Sequence, residues 1–248
     1  NKTTNGYEIT GYWKYATGSH HATVFTANCH VKENGVQLYD SNGTPLVHAF
    51  LLKRNEVVVH NTWHCMGMIA TGSHAFEVKQ VSVPLNRCFI IEPAHAMIAH
   101  PLYKYPFLQL AETTLAVNLS GMAYRFLDLC AEIFTLEVIN NLQPSALLKN
   151  LEEKRTVLNA YRCDFYRHTD AAWKILVTES YVPESMLAEI SKASRTLAIR
   201  SRELVDALYP YCGLGAADTR NEINRIWRNL HTASQHSLFK VRTASSFK

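Results

Sequence analysis

The sequence changes its period near residue 93, and that change limits the folds open to the chain. Before it, short stretches rich in β-branched and aromatic residues recur: Gly6 to Trp13, Ala22 to Ala27, Leu46 to Leu52, Glu56 to Val59 and Ala75 to Val83. Turn signals such as Asn34-Gly35 and Asn42-Gly43 separate them, which predicts an antiparallel β barrel or sandwich over residues 1–93. Pro84 and Pro93 close this region. Beyond it, apolar residues return at three- and four-residue steps, the period of helices buried along one face.

Phe107, Leu108, Leu115, Leu119, Met122, Phe126, Leu129 and Ile133 trace a first helix of about 35 residues, from about Tyr105 to Asn140-Asn141. Pro144 suits the first position of a second helix, where its missing N–H costs nothing. That helix carries Leu147, Leu151, Leu158, Tyr161, Phe165, His168, Ala172 and Ile175 on one face. A third starts near Pro183, presents Leu187, Ile190, Leu197, Leu204 and Leu208, and stops at Pro210. A loop with Gly213 and Gly215 leads to a last helix, from about Asp218 or Asn221 through Ile223, Ile226, Trp227 and Leu230 to Ala233. Short connections make neighbours antiparallel, so residues 94–248 are expected to form a four-helix bundle, and the fold class is α+β. Leu119, Met122, Leu158, Phe165, Leu197, Leu204 and Ile226 are expected in its core.

The chain has 248 residues, 47% of them hydrophobic and 19% charged, with 10 Gly and 8 Pro, which provides for two cored domains and excludes disordered or collagen-like chains. Lys and Arg number 25 against 21 Asp and Glu, a net charge of +4 without a basic stripe, so nucleic acid is not an expected partner. Apolar runs such as Cys88-Phe89-Ile90-Ile91 fall far short of the roughly 20 residues of a bilayer span, and the start, Asn1 to Tyr7, is too polar for a signal peptide. Cys29, Cys65, Cys88, Cys130, Cys163 and Cys212 lie far apart, as expected of reduced, mostly buried thiols in a cytoplasmic protein. The chain begins at Asn1 and runs almost directly into a strand pattern, so an upstream segment is expected.

Of the 12 histidines, His60 and His64 have four-residue spacing but follow a strand, where that spacing does not converge on one ion, and no H-E-x-x-H occurs; no metal is expected. His168 reads as a hydrogen-bonded core histidine. The tetrapeptide Thr-Gly-Ser-His occurs twice, at Thr17 to His20 and Thr71 to His74, each after an Ala. It matches neither a nucleophile elbow nor a P-loop. Two readings stand: turns that close strands, or small hydroxyls and backbone N–H groups that meet a planar polar ligand. Arg225 to His236 places Arg225, Arg228, His231 and His236 on a helix with Ile226, Trp227 and Leu230. His231 and His236 are about 140° apart around it, so they cannot both enter one pocket unaided, and a solvated basic face is the simpler reading.

Together these segments resemble the acyl-CoA dehydrogenase superfamily, and within it the flavin-dependent monooxygenase branch. Gly6 to Ser19 resembles the signature of the middle β domain, in which an aromatic residue and, two positions later, a Thr or Ser lie against the flavin ring. The resemblance places those roles on Tyr15 and Thr17, with Gly18 and Ser19 beside them. Trp63 to Pro84 resembles the second β-domain signature, although Ile69 stands where an Arg is common. Gly213 and Gly215 look like the glycine loop of the C-terminal domain, and Arg225 to His236 is similar to the segment whose terminal histidine faces the flavin, here His236, with His231 as second candidate. Family members also carry an N-terminal helical domain, and their bundles form dimers or tetramers with flavin-binding groups crossing the subunit boundary.

The resemblance implies a first function, the oxygenase component of a two-component monooxygenase. A separate flavin reductase supplies reduced FAD or FMN, and an aromatic or related small molecule is oxygenated with O2. A second is an acyl-CoA dehydrogenase, which needs a carboxylate base to take the α proton of a thioester; Asp218 falls near that position but equally suits a helix N-cap. A third is a non-catalytic assembly domain that keeps only the bundle interface. A homotetramer is expected because the bundle of such proteins has more apolar surface than one copy covers.

Overall fold

The computed structural model describes residues 1–140 and 145–239. Residues Asn1–His95 form one unit, and a second begins at Ala96.

The first unit is a sandwich of antiparallel sheets. Its strands are β1 (Lys2–Thr3), β2 (Gly6–Ala16), β3 (Val24–His30), β4 (Lys32–Glu33), β5 (Val36–Gln37), β6 (Val47–Lys53), β7 (Val58–His60), β8 (His74–Pro84) and β9 (Cys88–Phe89). One sheet has the order β1-β2-β8-β7, another β3-β6-β9, and β4 pairs with β5. Strand alternation sets the layers: in β3, buried Phe25 and Ala27 alternate with exposed Val24, Thr26 and Asn28. Both larger sheets feed one core of Tyr7, Ile9, Phe25, Phe50, Leu52, Phe76 and Val78. Each such side chain contributes about 1.5–3 kcal/mol on burial. β2 and β8 pair from Gly6↔Pro84 to Ala16↔His74, with register shifts between Ile9 and Gly11 and between Trp13 and Ala16. The second shift is a bulge that carries Tyr15 at φ 66°.

The second unit is the four-helix bundle that the apolar period implies. A short α1 (Pro101–Lys104), unforeseen in the sequence, precedes α2 (Phe107–Ile139), α3 (Ala146–Glu179), α4 (Glu184–Leu208) and α5 (Glu222–Ala233). Asn141 and Pro144, the expected end of the first long helix and start of the second, lie outside the described residues. Cross-helix bonds give the directions. Asp128 meets Arg155 and Ser120 meets Arg162, so α2 and α3 are antiparallel. Gln109 meets Ser191 and Glu112 meets Arg195, so α2 and α4 run the same way.

Leu119, Leu158, Phe165, Leu197 and Leu204 are buried. Met122 and Ile226 are only half-buried and pack on the margin of the core. On α5, Ile223 and Leu230 lead the apolar stripe, and Ile226 falls about 40–60° to one side of them. Phe107 and Leu108 are exposed at the start of α2. The cysteines also depart from expectation: Cys130 and Cys212 are buried, but Cys65 and Cys163 are exposed and Cys29 and Cys88 half-buried; all six are free thiols. No helix among the described residues is long and apolar enough to cross a membrane.

Candidate functional site

The duplicated tetrapeptides meet. β2 ends at Ala16, which pairs with His74 at the start of β8, so Thr17 to His20 leaves one strand where Thr71 to His74 enters the other. Gly18 N donates to Thr71 O at 2.8 Å, and Ser19 Oγ donates to Gly72 O at 2.9 Å. Thr17 Oγ1 lies 2.9 Å from Ser73 Oγ, which lies 2.7 Å from Thr71 Oγ1. The rings of His20 and His74 meet edge to face with centroids 4.4 Å apart. Gly18 and Gly72 take φ of 76° and 49°, the left-handed conformation in which a side chain would be strained. The first reading of the repeat, turns that close a strand pair, is what these bonds form, and they also bring three hydroxyls together. Ser19 and Ser73 are buried, whereas Thr17 is exposed.

Beside this pair stands an aromatic edge. Tyr15 is 73% exposed despite its size, and its ring meets Trp63 edge-on at 6.2 Å. A bulky residue at positive φ is strained, and such strain concentrates at functional sites. The Trp63 segment is fastened by His74, whose Nδ1 accepts the Thr62 and Trp63 amides, both at 3.1 Å. A ring nitrogen that accepts two N–H groups carries no proton, so neutral His74 is protonated on Nε2. Loss of hydration, then neighbouring His20 and His64, pushes His74 below the usual histidine pKa and favours that neutral form. Trp63 Nε1 donates to Met68 O at 2.9 Å. The roles of His74 and Met68 were missed in the sequence, where the repeat and the resemblance of Gly6 to Ser19 and Trp63 to Pro84 pointed to this corner.

The candidates of the second unit are differently placed. Gly213, at φ 66°, opens a 3₁₀ turn over Leu214–Ala217, and Gly215 O accepts Asn221 Nδ2 at 2.8 Å. Asp218 follows that turn. It does not cap α5, whose N-cap is Asn221; instead its carboxylate forks onto Arg220, with Oδ2 2.6 Å from Nη2. The Arg220 side chain, then its backbone N–H, holds Asp218 below the usual carboxylate pKa, which opposes a role as proton acceptor. His231 Nδ1 lies 2.8 Å from Trp227 O and Nε2 2.7 Å from Asp206 Oδ1. Both nitrogens face acceptors, so His231 ties α5 to α4 and leaves neither nitrogen for a ligand. His236 lies just past α5, exposed, with Nδ1 accepting Leu238 N at 3.3 Å and Nε2 without a protein partner among the described residues. His60 bonds to Glu77 at 3.1 Å, and His168 is partly buried beside Asp164 rather than in the core. Among the described residues, no group of three or more His, Cys, Asp or Glu is arranged to hold a metal ion.

Residues 113–241, over half of the chain, match the family described as acyl-CoA dehydrogenase, C-terminal domain. The chain belongs to the acyl-CoA dehydrogenase family. It is 24% identical, over 94% of its length, to the flavin-dependent monooxygenase oxygenase subunit HsaA of Mycobacterium tuberculosis, and its fold matches the crystal structure of that monooxygenase with a TM-score of 0.85 over 96% of the chain and 63% of the other. It is 30% identical over 98% of its length to a pigment production hydroxylase of a Rhodococcus species, covering 64% of that protein. XiaF from a Streptomyces species, in complex with FADH2 and glycerol, superposes with a TM-score of 0.80 at 21% identity, over 96% of this chain and 62% of XiaF. The chain spans about 60% of the HsaA sequence.

Proposed function

We propose that the chain is part of the oxygenase component of a two-component flavin monooxygenase, acting on an aromatic or related small molecule with O2 and reduced FAD or FMN from a partner flavin reductase. The observation that carries this reading is the open corner of the sandwich, where the exposed Tyr15 ring and Thr17 hydroxyl stand beside paired glycine turns. A planar, polar-edged ring fits such a corner: Tyr15 and Trp63 offer aromatic faces and edges, and Thr17 offers a hydrogen-bonding oxygen. HsaA and XiaF, similar over nearly the whole chain, add support. Bound reduced flavin supplies the oxygen-activating chemistry. The β unit's part is to orient the ring through Tyr15, Thr17, Gly18 and Ser19 and to exclude water; in the helical unit, His236 Nε2 is the group for managing a proton, and Gly213 and Gly215 shape the loop before α5. His236 is preferred to His231 because the Asp206 and Trp227 bonds occupy the latter.

The dehydrogenase alternative is disfavoured, because both carboxylate oxygens of Asp218, its candidate base, are engaged by Arg220, which lowers the affinity of that carboxylate for a proton. For the oligomer we propose a tetramer formed through the bundle, supported by exposed apolar side chains at one end of it, including Tyr103, Phe107, Val177 and Tyr181. The free, touching thiols of Cys130 and Cys212, 3.5 Å apart, support residence in the reducing cytoplasm.

The test uses the full-length protein with its reductase, reduced flavin, O2 and an accepted aromatic substrate. His236→Ala is expected to release peroxide without product, while Asp218→Asn retains coupling. Full coupling in His236→Ala would remove that residue from the reaction.

A further inference from the structure

We propose that the helical unit carries a small-molecule site of its own, a cleft between α2 and α3 that takes a one-ring organic ammonium ion. The cleft is lined entirely by residues of the second unit, and the inference does not depend on the flavin reading above. Its volume, about 310 Å³, is at the small end of the roughly 300–1,000 Å³ usual for ligand sites, which suits one ring with a short arm. Residues three and four apart share a helix face, so Thr113, Thr114 and Val117 line it from α2 while Phe165, Thr169 and Trp173 line it from α3.

The aromatic part of the lining is held from behind. Phe165 is buried and meets the Tyr166 ring edge-on at 5.1 Å, and Tyr105, also in the lining, packs on the apolar cluster of Ala172, Leu176, Val182 and Ile190. Tyr166 and Trp173 each keep 39% of their surface open. The hydroxyls offer lone pairs alone. Thr113 and Thr114 donate to Leu110 O at 3.0 and 2.9 Å, and Thr169 donates to Tyr166 O at 3.0 Å, so each proton is spent on its own helix. Asp170 supplies the one formal charge, and no lining side chain is cationic. Among the described residues its carboxylate has no hydrogen bond or ion pair, because its basic neighbours Arg167 and His168 turn to Asp164 instead.

That combination selects the ligand class. An organic anion would meet the Asp170 charge with no cation to offset it. A bare metal ion would find one carboxylate and mostly apolar walls, which do not replace its hydration shell. An ammonium ion on an apolar body satisfies every part of the lining: its N–H groups donate to the carboxylate and the Thr oxygens, its charge lies against the faces of Tyr166 and Trp173, and its ring packs on Val117 and Phe165. Asp170 is the charge-reading residue in this scheme, and Trp173 the aromatic wall.

The experiment titrates full-length protein calorimetrically with 2-phenylethylammonium and with its neutral isostere 2-phenylethanol. The wild type is expected to bind the ammonium about tenfold more tightly than the alcohol. Asp170→Asn, at an exposed position that leaves the core intact, is expected to bring that ratio near one. Trp173→Leu, which keeps an apolar wall, is expected to lower the ammonium affinity about threefold. The ratio is read within each variant, so a general loosening of the cleft does not move it. Tyr15→Ala, in the β unit, is expected to keep the wild-type ratio and affinity. Equal binding of the two probes by the wild type, or an unchanged ratio in Asp170→Asn, overturns the inference. So does ammonium binding that is lost in Tyr15→Ala and kept in Asp170→Asn, which would put the amine in the β unit, and so does the absence of saturable binding.

Discussion

The two units spend their polar side chains differently. In the helical unit charged groups join helices: Glu112 with Arg195, Asp128 with Arg155, Arg125 with Glu222, and, of the candidates, His231 with Asp206. In the β unit, neutral hydroxyls and backbone groups join two turns and leave an exposed Thr17 and Tyr15 at the outer end. The lesson is that a side chain's chemical type does not mark a site. Among the described residues, bonding capacity remains on Thr17 and His236 after folding, whereas the nitrogens of His231 and the carboxylate of Asp218 are engaged.

Glu112 gives the sharpest expected break of this contrast. It is fully buried, both bonds from Arg195 reach Oε1, and Oε2 has no hydrogen-bond partner among the described residues. Arg195→Ala would strand a buried carboxylate, and urea unfolding is expected to show a loss of about 3 kcal/mol or more. The His231 link is weaker because Asp206 is half exposed. Asp206→Asn is expected to cost about 1 kcal/mol in thermal unfolding, with the β unit unaffected. In the β unit, His74→Ala is expected to speed amide exchange at Thr62 and Trp63 about tenfold, with rescue by Asn, whose Oδ1 replaces Nδ1, and not by Gln. Equal exchange in all three variants would mean that His74 does not fasten the Trp63 segment.

The smallest expected effect is a pH dependence of the β unit. Hydrogen bonds from Arg87, offset in part by burial, hold the Glu56 carboxyl below its ordinary pKa. The unfolded chain therefore binds the proton more readily, and the pair's contribution is present above the unfolded Glu pKa, near 4.3, and is lost as pH falls through the lower folded value. Acid unfolding of Glu56→Gln is expected to lack that segment of the curve. An unchanged acid limb would show that the pair is energetically silent.

Much of this was legible in the sequence because it is periodic. Alternation located the principal strands, and three- and four-residue spacing located the long helices and placed Leu119, Leu158, Phe165, Leu197 and Leu204 in the core. Spacing ranks side chains around one helix but does not reveal how wide a neighbour is, so Met122 and Ile226 fell on the margin. The repeated Thr-Gly-Ser-His was visible, yet not its convergence: Thr17 and Ser73 are 56 residues apart, and only the β2–β8 register brings them together. His231 and Asp206 meet across two helices for the same reason. No local pattern in the sequence shows that His231 will be occupied by Asp206 and Trp227.

The central claim is that the outer end of the β unit holds flavin, and titration of full-length Thr17→Ala and Tyr15→Ala with reduced FAD and FMN tests it most directly. The account predicts tight binding by the wild type and about tenfold or greater weakening in each variant, with thermal stability retained. Wild-type affinity in both variants would contradict it and move the flavin elsewhere.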